Sequence, residues 1–222
     1  MAKNVTNKSG EKNPLDNLTA YYEQNKKRVN TITTIVLAVV VAIVAYFNLY
    51  RAPRVEKAAA SMAYAQRMFS IDSLDLALNG DAQNPGFLKI MRKYSGTPSA
   101  NLCNYYAGVI YLKKGDFNQA IKHLEDFNGS GTLVGNMAHG TLGDAYMETN
   151  KVKDGISEYE KAVSANDNVV APLYYERLGV AYEMNNQPEK AKAAYKAIKE
   201  KYPRSMQAQN VDLNLARLGE ID

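Results

Sequence analysis

The chain has 222 residues, a formal net charge of +4 and a mean hydropathy of −0.38, so most of it belongs in water and it is long enough to build a core. Six of its 27 basic and three of its 23 acidic residues fall in residues 1–31, leaving 21 against 20 for the remainder. A body so nearly neutral lacks the basic face that nucleic acid demands, and the single cysteine, Cys103, excludes an internal disulfide.

Residues 1–14 are polar, rich in Asn and Lys, and are expected to be disordered. Leu15, Leu18 and Tyr22 follow at helical spacing, which fits a short amphipathic helix lying on a membrane as well as it fits a solvated leader. Ile32 to Tyr50 then reads ITTIVLAVVVAIVAYFNLY without a charged residue. Nineteen residues of helix span about 28 Å, close to the hydrocarbon thickness of a bilayer, and the hydroxyls of Thr33 and Thr34 can bond back one turn along the helix. Tyr46, Phe47 and Tyr50 cluster at one end, where an interfacial aromatic belt sits. The run ends in Asn48-Leu49-Tyr50-Arg51 rather than in small residues, which reads as an uncleaved signal anchor. Basic residues within about 20 positions of the span tie on its two sides: Lys12, Lys26, Lys27 and Arg28 against Arg51, Arg54, Lys57 and Arg67. The Lys26-Lys27-Arg28 cluster abutting the span tips the reading to a cytoplasmic tail, residues 1–31, and an exported body.

Residues 51–98 are expected to form a degenerate helical hairpin. An Ala-rich helical pattern covers residues 55–79, and Asn84-Pro85-Gly86 opens a short helix from Phe87 to Tyr94. Pro53 fits either a kink or the first turn of a new helix.

Periodicity dominates the remainder. Ala107-Gly108-Val109-Ile110-Tyr111, Leu142-Gly143-Asp144-Ala145-Tyr146 and Leu178-Gly179-Val180-Ala181-Tyr182 share one pattern, with Gly-to-Gly steps of 35 and 36 residues. Each is followed by turn residues (Lys114-Gly115-Asp116, Thr149-Asn150, Asn185-Asn186) and a second amphipathic stretch, carrying Ala120 and Leu124, then Gly155 and Tyr159, then Ala191 and Tyr195. Gly108, Gly143 and Gly179 let the first helix of each pair approach the second. Tyr111, Tyr146 and Tyr182, three residues on, are expected to fill the space one turn along the same face, while Ala120 and Ala191 return the close approach from the second helix. Pro203 stops the last of these helices, and Gln207 to Leu218 reads as a capping helix within residues 204–222.

These spacings resemble the tetratricopeptide repeat (TPR) family, whose units are helix–turn–helix pairs of 34 residues. The resemblance implies an all-α TPR-type solenoid, with three units over residues 99–203 and a single N-terminal transmembrane helix over residues 32–50. It also implies a protein- or peptide-binding groove lined by first-helix side chains. Transferred position by position, these are Tyr105, Val109 and Leu112 in the first unit, Met137, Asp144, Met147 and Glu148 in the second, and Leu173, Glu176, Val180, Glu183 and Met184 in the third. Such a groove is apolar and Met-bearing with an acidic rim, and methionine adapts to varied partners. Tyr105 and Val109 stand where a carboxylate-clamping TPR carries Lys and Asn, so a clamp for acidic C-termini is not expected.

Nothing in the sequence points to catalysis. His123 and His139 are the only histidines and each stands alone on a repeat helix. No nucleophile elbow, P-loop or dinucleotide fingerprint is present. The expected protein is therefore not an enzyme and uses no cofactor, metal or small-molecule substrate; it binds proteins and, through one helix, the bilayer. In the order of its elements it is similar to the membrane-anchored TPR proteins of bacterial envelopes, among them the ancillary periplasmic subunits of the Sec translocon. That likeness implies a scaffold in the bacterial inner membrane that holds partner or client proteins in a chaperone-like manner. Two alternatives stay open: a structural assembly subunit of an envelope complex, and an adaptor facing the cytosol.

Overall fold

The computed structural model describes residues 14–164 and 169–220. The disorder expected for residues 1–14 therefore falls, apart from Pro14, outside the described residues. Two compact units divide the chain, residues 1–53 and residues 54–222.

In the first unit, α1 runs from Pro14 to Ala45 with a break in its dihedral angles at Asn25, and a π-helical turn, Tyr46–Arg51, continues it. Thr31 Oγ1 donates to the Lys27 carbonyl at 2.8 Å and Thr34 Oγ1 to that of Asn30 at 2.9 Å. Both hydroxyls are thus satisfied within the helix, one turn back. The large apolar side chains from Ile32 to Tyr50 all remain exposed, Leu37 at 62% and Leu49 at 80% among them. This is the one helix among the described residues long and apolar enough to cross a membrane.

The second unit is a succession of helices. α2 (Ala52–Ser70), whose first turn holds Pro53, α3 (Leu74–Asn79) and α4 (Phe87–Lys93) come first. The single helix expected over 55–79 is thus interrupted. Asp72 turns left-handed at φ 58°, and the Ser73 amide closes on the Met68 carbonyl at 2.9 Å, which ends α2. Residues 51–98 accordingly contain three helices rather than a two-helix hairpin. Between α3 and α4, Asp81 accepts the amides of Gln83 and Asn84 at 2.8 and 2.7 Å, beside an isolated antiparallel bridge from Gly80 to Pro85.

Six helices follow as three antiparallel pairs: α5 (Pro98–Lys113) with α6 (Phe117–Glu125), α7 (Leu133–Glu148) with α8 (Val152–Ser164), and α9 (Ala171–Met184) with α10 (Pro188–Lys201). The starts are capped where the sequence supplies a hydroxyl or carboxylate. Thr97 accepts from the Ala100 amide at 3.2 Å, Thr132 from that of Gly135 at 3.0 Å and Asp116 from that of Gln119 at 3.3 Å. Within each pair the turn passes through one left-handed residue seven places after the motif glycine: Gly115 (φ 78°), Asn150 (φ 57°) and Asn186 (φ 55°). Gly and Asn are the residues that accept this conformation cheaply. The expected terminal helix is broken into a 3₁₀ turn, Gln207–Gln209, and α11, Val211–Arg217. Val211 and Leu215 seal the end of the core while Leu213 stays 75% exposed.

The core is correspondingly a chain of clusters. One joins α2, α3 and α4 to α5 through Met62, Phe87, Ile90 and Ile110, with the Phe87 and Tyr106 rings stacked 4.6 Å apart. A second joins α6 to α7 through Ala120, Leu124, Leu142 and Ala145. The third runs from α8 to α11 through Tyr159, Tyr174, Tyr195, Ile198 and Leu215. Each pair buries its apolar faces only with its neighbours' help.

Candidate protein-binding groove

Helix pairing depends on notches. A methyl group placed on Gly143 would lie 2.6 Å from the Tyr159 ring, one on Gly179 2.4 Å from the Tyr195 ring, and one on Gly108 2.5 Å from Leu124. The second-helix side chain therefore occupies the volume that the motif glycine leaves empty, and Ala120 and Ala191 are fully buried behind it. Two of the three motif tyrosines reach beyond their own pair. Tyr146 donates its hydroxyl to Glu125 at 2.5 Å and Tyr182 donates to Glu160, each acceptor lying on or beside the second helix of the preceding pair. They tie one repeat to the next rather than filling the notch of their own. Burial, then the hydrogen bond to the carboxylate and its charge, push both phenols above their ordinary range. Tyr111 stays within its own pair and stacks on His123 of α6, ring centroids 5.4 Å apart.

First helices of successive pairs line a cleft of about 1180 Å³. Of the twelve candidate binding residues, Leu112, Asp144, Met147, Glu148, Leu173, Glu176, Val180 and Met184 border it, and Tyr105, Val109, Met137 and Glu183 do not. Tyr105 packs against Tyr106 and Phe127, and burial pushes its phenol up to about 12. Met137 packs into the core around Tyr174, whose hydroxyl donates to its carbonyl at 3.3 Å. Glu183 is held away by the Tyr195 hydroxyl at 2.6 Å and by Arg217 at 2.8 Å. Val109 is half-buried on α5.

Half of the residues that border the cleft were not expected from the sequence. Phe117 enters from α6, and Asn214 and Arg217 enter from α11. Arg177 ion-pairs with Asp144 one repeat away and lies over the Tyr174 ring, 5.5 Å from its centroid. Tyr159 donates to the other Asp144 oxygen at 2.7 Å. Burial raises the Asp144 carboxyl, and the Arg177 charge and the two hydrogen bonds only partly reverse that. A separation of 33 residues between an acid and a base on first helices was the available signal, because it approximates one repeat.

A second cleft, about 560 Å³, opens beside α6, α7 and α8. Here His139 is not alone: its Nδ1 lies 2.7 Å from Glu158, which also accepts from Lys161 at 2.6 Å. Burial by itself raises the Glu158 carboxyl, but the bonds from His139 and Lys161 together outweigh it and hold the group below its usual range. His123 faces Asn104 at 3.1 Å. Among the described residues no three His, Cys, Asp or Glu side chains gather to hold a metal ion.

Paired helices with glycine notches, repeated tyrosine ties and an open groove define a helical-repeat protein built for binding other chains. The sequence profile of the Tetratricopeptide repeat-like domain matches residues 20–220, and the chain belongs to that family. No curated protein matches it. Among solved structures it is similar to the crystal structure of the MamA protein at 20% identity, with 74% of this chain and 84% of that one covered at a TM-score of 0.56. Another crystal structure of MamA shares 22% identity over 60% of this chain and 80% of that one at a TM-score of 0.47.

Proposed function

We propose that the chain is a membrane-anchored TPR scaffold that holds partner or client proteins at the bacterial envelope, in a chaperone-like role near the secretion machinery. The observation that carries the reading is the groove on the repeat unit, half apolar and open to solvent, in a chain whose N-terminal helix leaves its whole apolar surface uncovered. Exposing that much apolar side chain to water is costly, and a bilayer removes the cost. The Lys26-Lys27-Arg28 cluster supports a cytoplasmic tail in the inner membrane and a periplasmic repeat unit.

Photo-crosslinking residues at Val180 and Met184 of the full chain, activated in native membranes, test the proposal. Adducts with other envelope proteins are the expected result, together with protease access to the repeat unit in spheroplasts. Adducts with the chain itself alone would overturn the client-holding role in favour of an assembly subunit. Protection of the repeat unit from protease would overturn the orientation in favour of a cytosolic adaptor.

A further inference from the structure

The charges that border the groove are not equivalent. Each of its three cations is matched by a carboxylate: Arg177 by Asp144, Arg217 by Glu183 at 2.8 Å, and Lys113 by Asp72 at 2.7 Å. Glu148 and Glu176 border the same cleft, and among the described residues neither has an ion pair or a hydrogen bond. Their negative charge is the one left uncompensated in the groove. Beside them Val180 and Met184 are 43% and 55% exposed on α9, an apolar strip that methionine lets adapt to different shapes.

Resting on the scaffold reading above, we propose that the groove selects an extended polypeptide segment in which a Lys or Arg stands next to a large apolar side chain. The apolar side chain lies on Val180 and Met184, and the cation is drawn to Glu148 and Glu176. An acidic segment meets the opposite situation, because the cations it would seek are already engaged and the free carboxylates repel it. Both carboxylates are solvated in part, so each contributes the modest attraction of an exposed pair, about a two- to fivefold effect on affinity, weakened by salt.

The experiment uses the full chain in nanodiscs of zwitterionic lipid, with empty discs as blank, and three synthetic twelve-residue peptides. The peptides share their leucines and differ only in carrying two Lys, two Glu or two Gln. The expected result is about tenfold tighter binding of the Lys peptide than of the Glu peptide at low salt. Raising the salt shrinks that ratio. In the E148Q/E176Q variant the ratio falls to within about twofold, while the Gln peptide binds as it does to the unaltered chain. Equal binding of the Lys and Glu peptides, or a preference that survives E148Q/E176Q, overturns the charge selection and leaves the groove itself standing, provided that Met184→Asp weakens all three. Binding of none of the peptides overturns the groove and this inference with it.

Discussion

Glycines buried between paired helices make opposite predictions for one substitution, depending on what faces them. Replacing glycine by alanine inside a helix is worth about 1 kcal/mol in intrinsic propensity. At Gly179 the new methyl would lie 2.4 Å from the Tyr195 ring. That ring is fully buried and its hydroxyl is committed to Glu183, so it cannot swing aside. Overpacking of this kind costs about 1–3 kcal/mol, and a rigid aromatic puts G179A at the upper end. The net effect is a loss of about 1–2 kcal/mol, or a fall in Tm of about 3–6 °C for a protein of this size. At Gly155 the nearest atom is the Met147 sulfur at 2.7 Å, the mobile end of a side chain with three rotatable bonds. Next are the Met147 Cγ at 3.0 Å, on the same adaptable side chain, and the Gly143 carbonyl at 3.3 Å, each of which has to give by only a few tenths of an ångström. Most of the propensity gain then survives, and G155A is expected to raise Tm by about 1–2 °C. Far-ultraviolet circular dichroism melts of the full chain in detergent decide the matter. The reasoning fails if G179A melts at or above the unaltered chain, or if G155A falls as far as G179A.

Acid sensitivity is expected at Glu158. Its folded pKa lies below the ordinary 4.5, so its stabilisation is complete above that value and is lost as pH falls through the lowered one. Denaturant titrations should find E158Q less stable than the unaltered chain at neutral pH, with the difference vanishing in acid. Cys103, whose thiol burial pushes up to about 12, should resist alkylation at pH 8 in the folded chain and react only after denaturant is added. Removing the hydroxyl in Y182F should cost about 1 kcal/mol and speed amide exchange at the junction of α8 and α9 more than within either helix. On the proposed membrane anchor, an arginine in place of Val41 costs about 2.5–3.5 kcal/mol on insertion scales and should turn part of the protein carbonate-extractable.

Local chemistry was legible in the sequence because it is written within a few residues. The glycine at the notch and the left-handed residue seven places later recur at steps of 35 and 36, and each is required by a geometry that no neighbouring repeat can alter. The break at Ile71–Ser73 was not legible, since no Gly or Pro marks it and the left-handed position is taken by Asp72 at φ 58°. Nor was the partner of Tyr146 or Tyr182. Three residues after the glycine says which face a tyrosine occupies, but the register between consecutive pairs decides whether it meets its own second helix or a glutamate of the preceding pair. Of the cleft, most of the positions on α7 and α9 were readable, and on α5 only Leu112 was. Tyr105 is claimed by Phe127 from the connection after α6, a contact outside the repeat pattern.

Helix α7 explains how packing sets the electrostatics of the groove. It is notched twice, Gly143 admitting Tyr159 of its own pair and Gly140 admitting Tyr174 of the next, whose ring carbons would lie about 2 Å from an added methyl. Tyr174, seated in that second notch, carries Arg177 above its ring, and from there the guanidinium reaches Asp144. Without the notch at Gly140, α9 would stand further from α7 and Asp144 would lack its ion pair in a partly buried site, which is expensive. The small residue thus neutralises one carboxylate of the groove and leaves Glu148 and Glu176 as its uncompensated charge. Selectivity for basic segments, on this account, is decided by a glycine that touches no ligand.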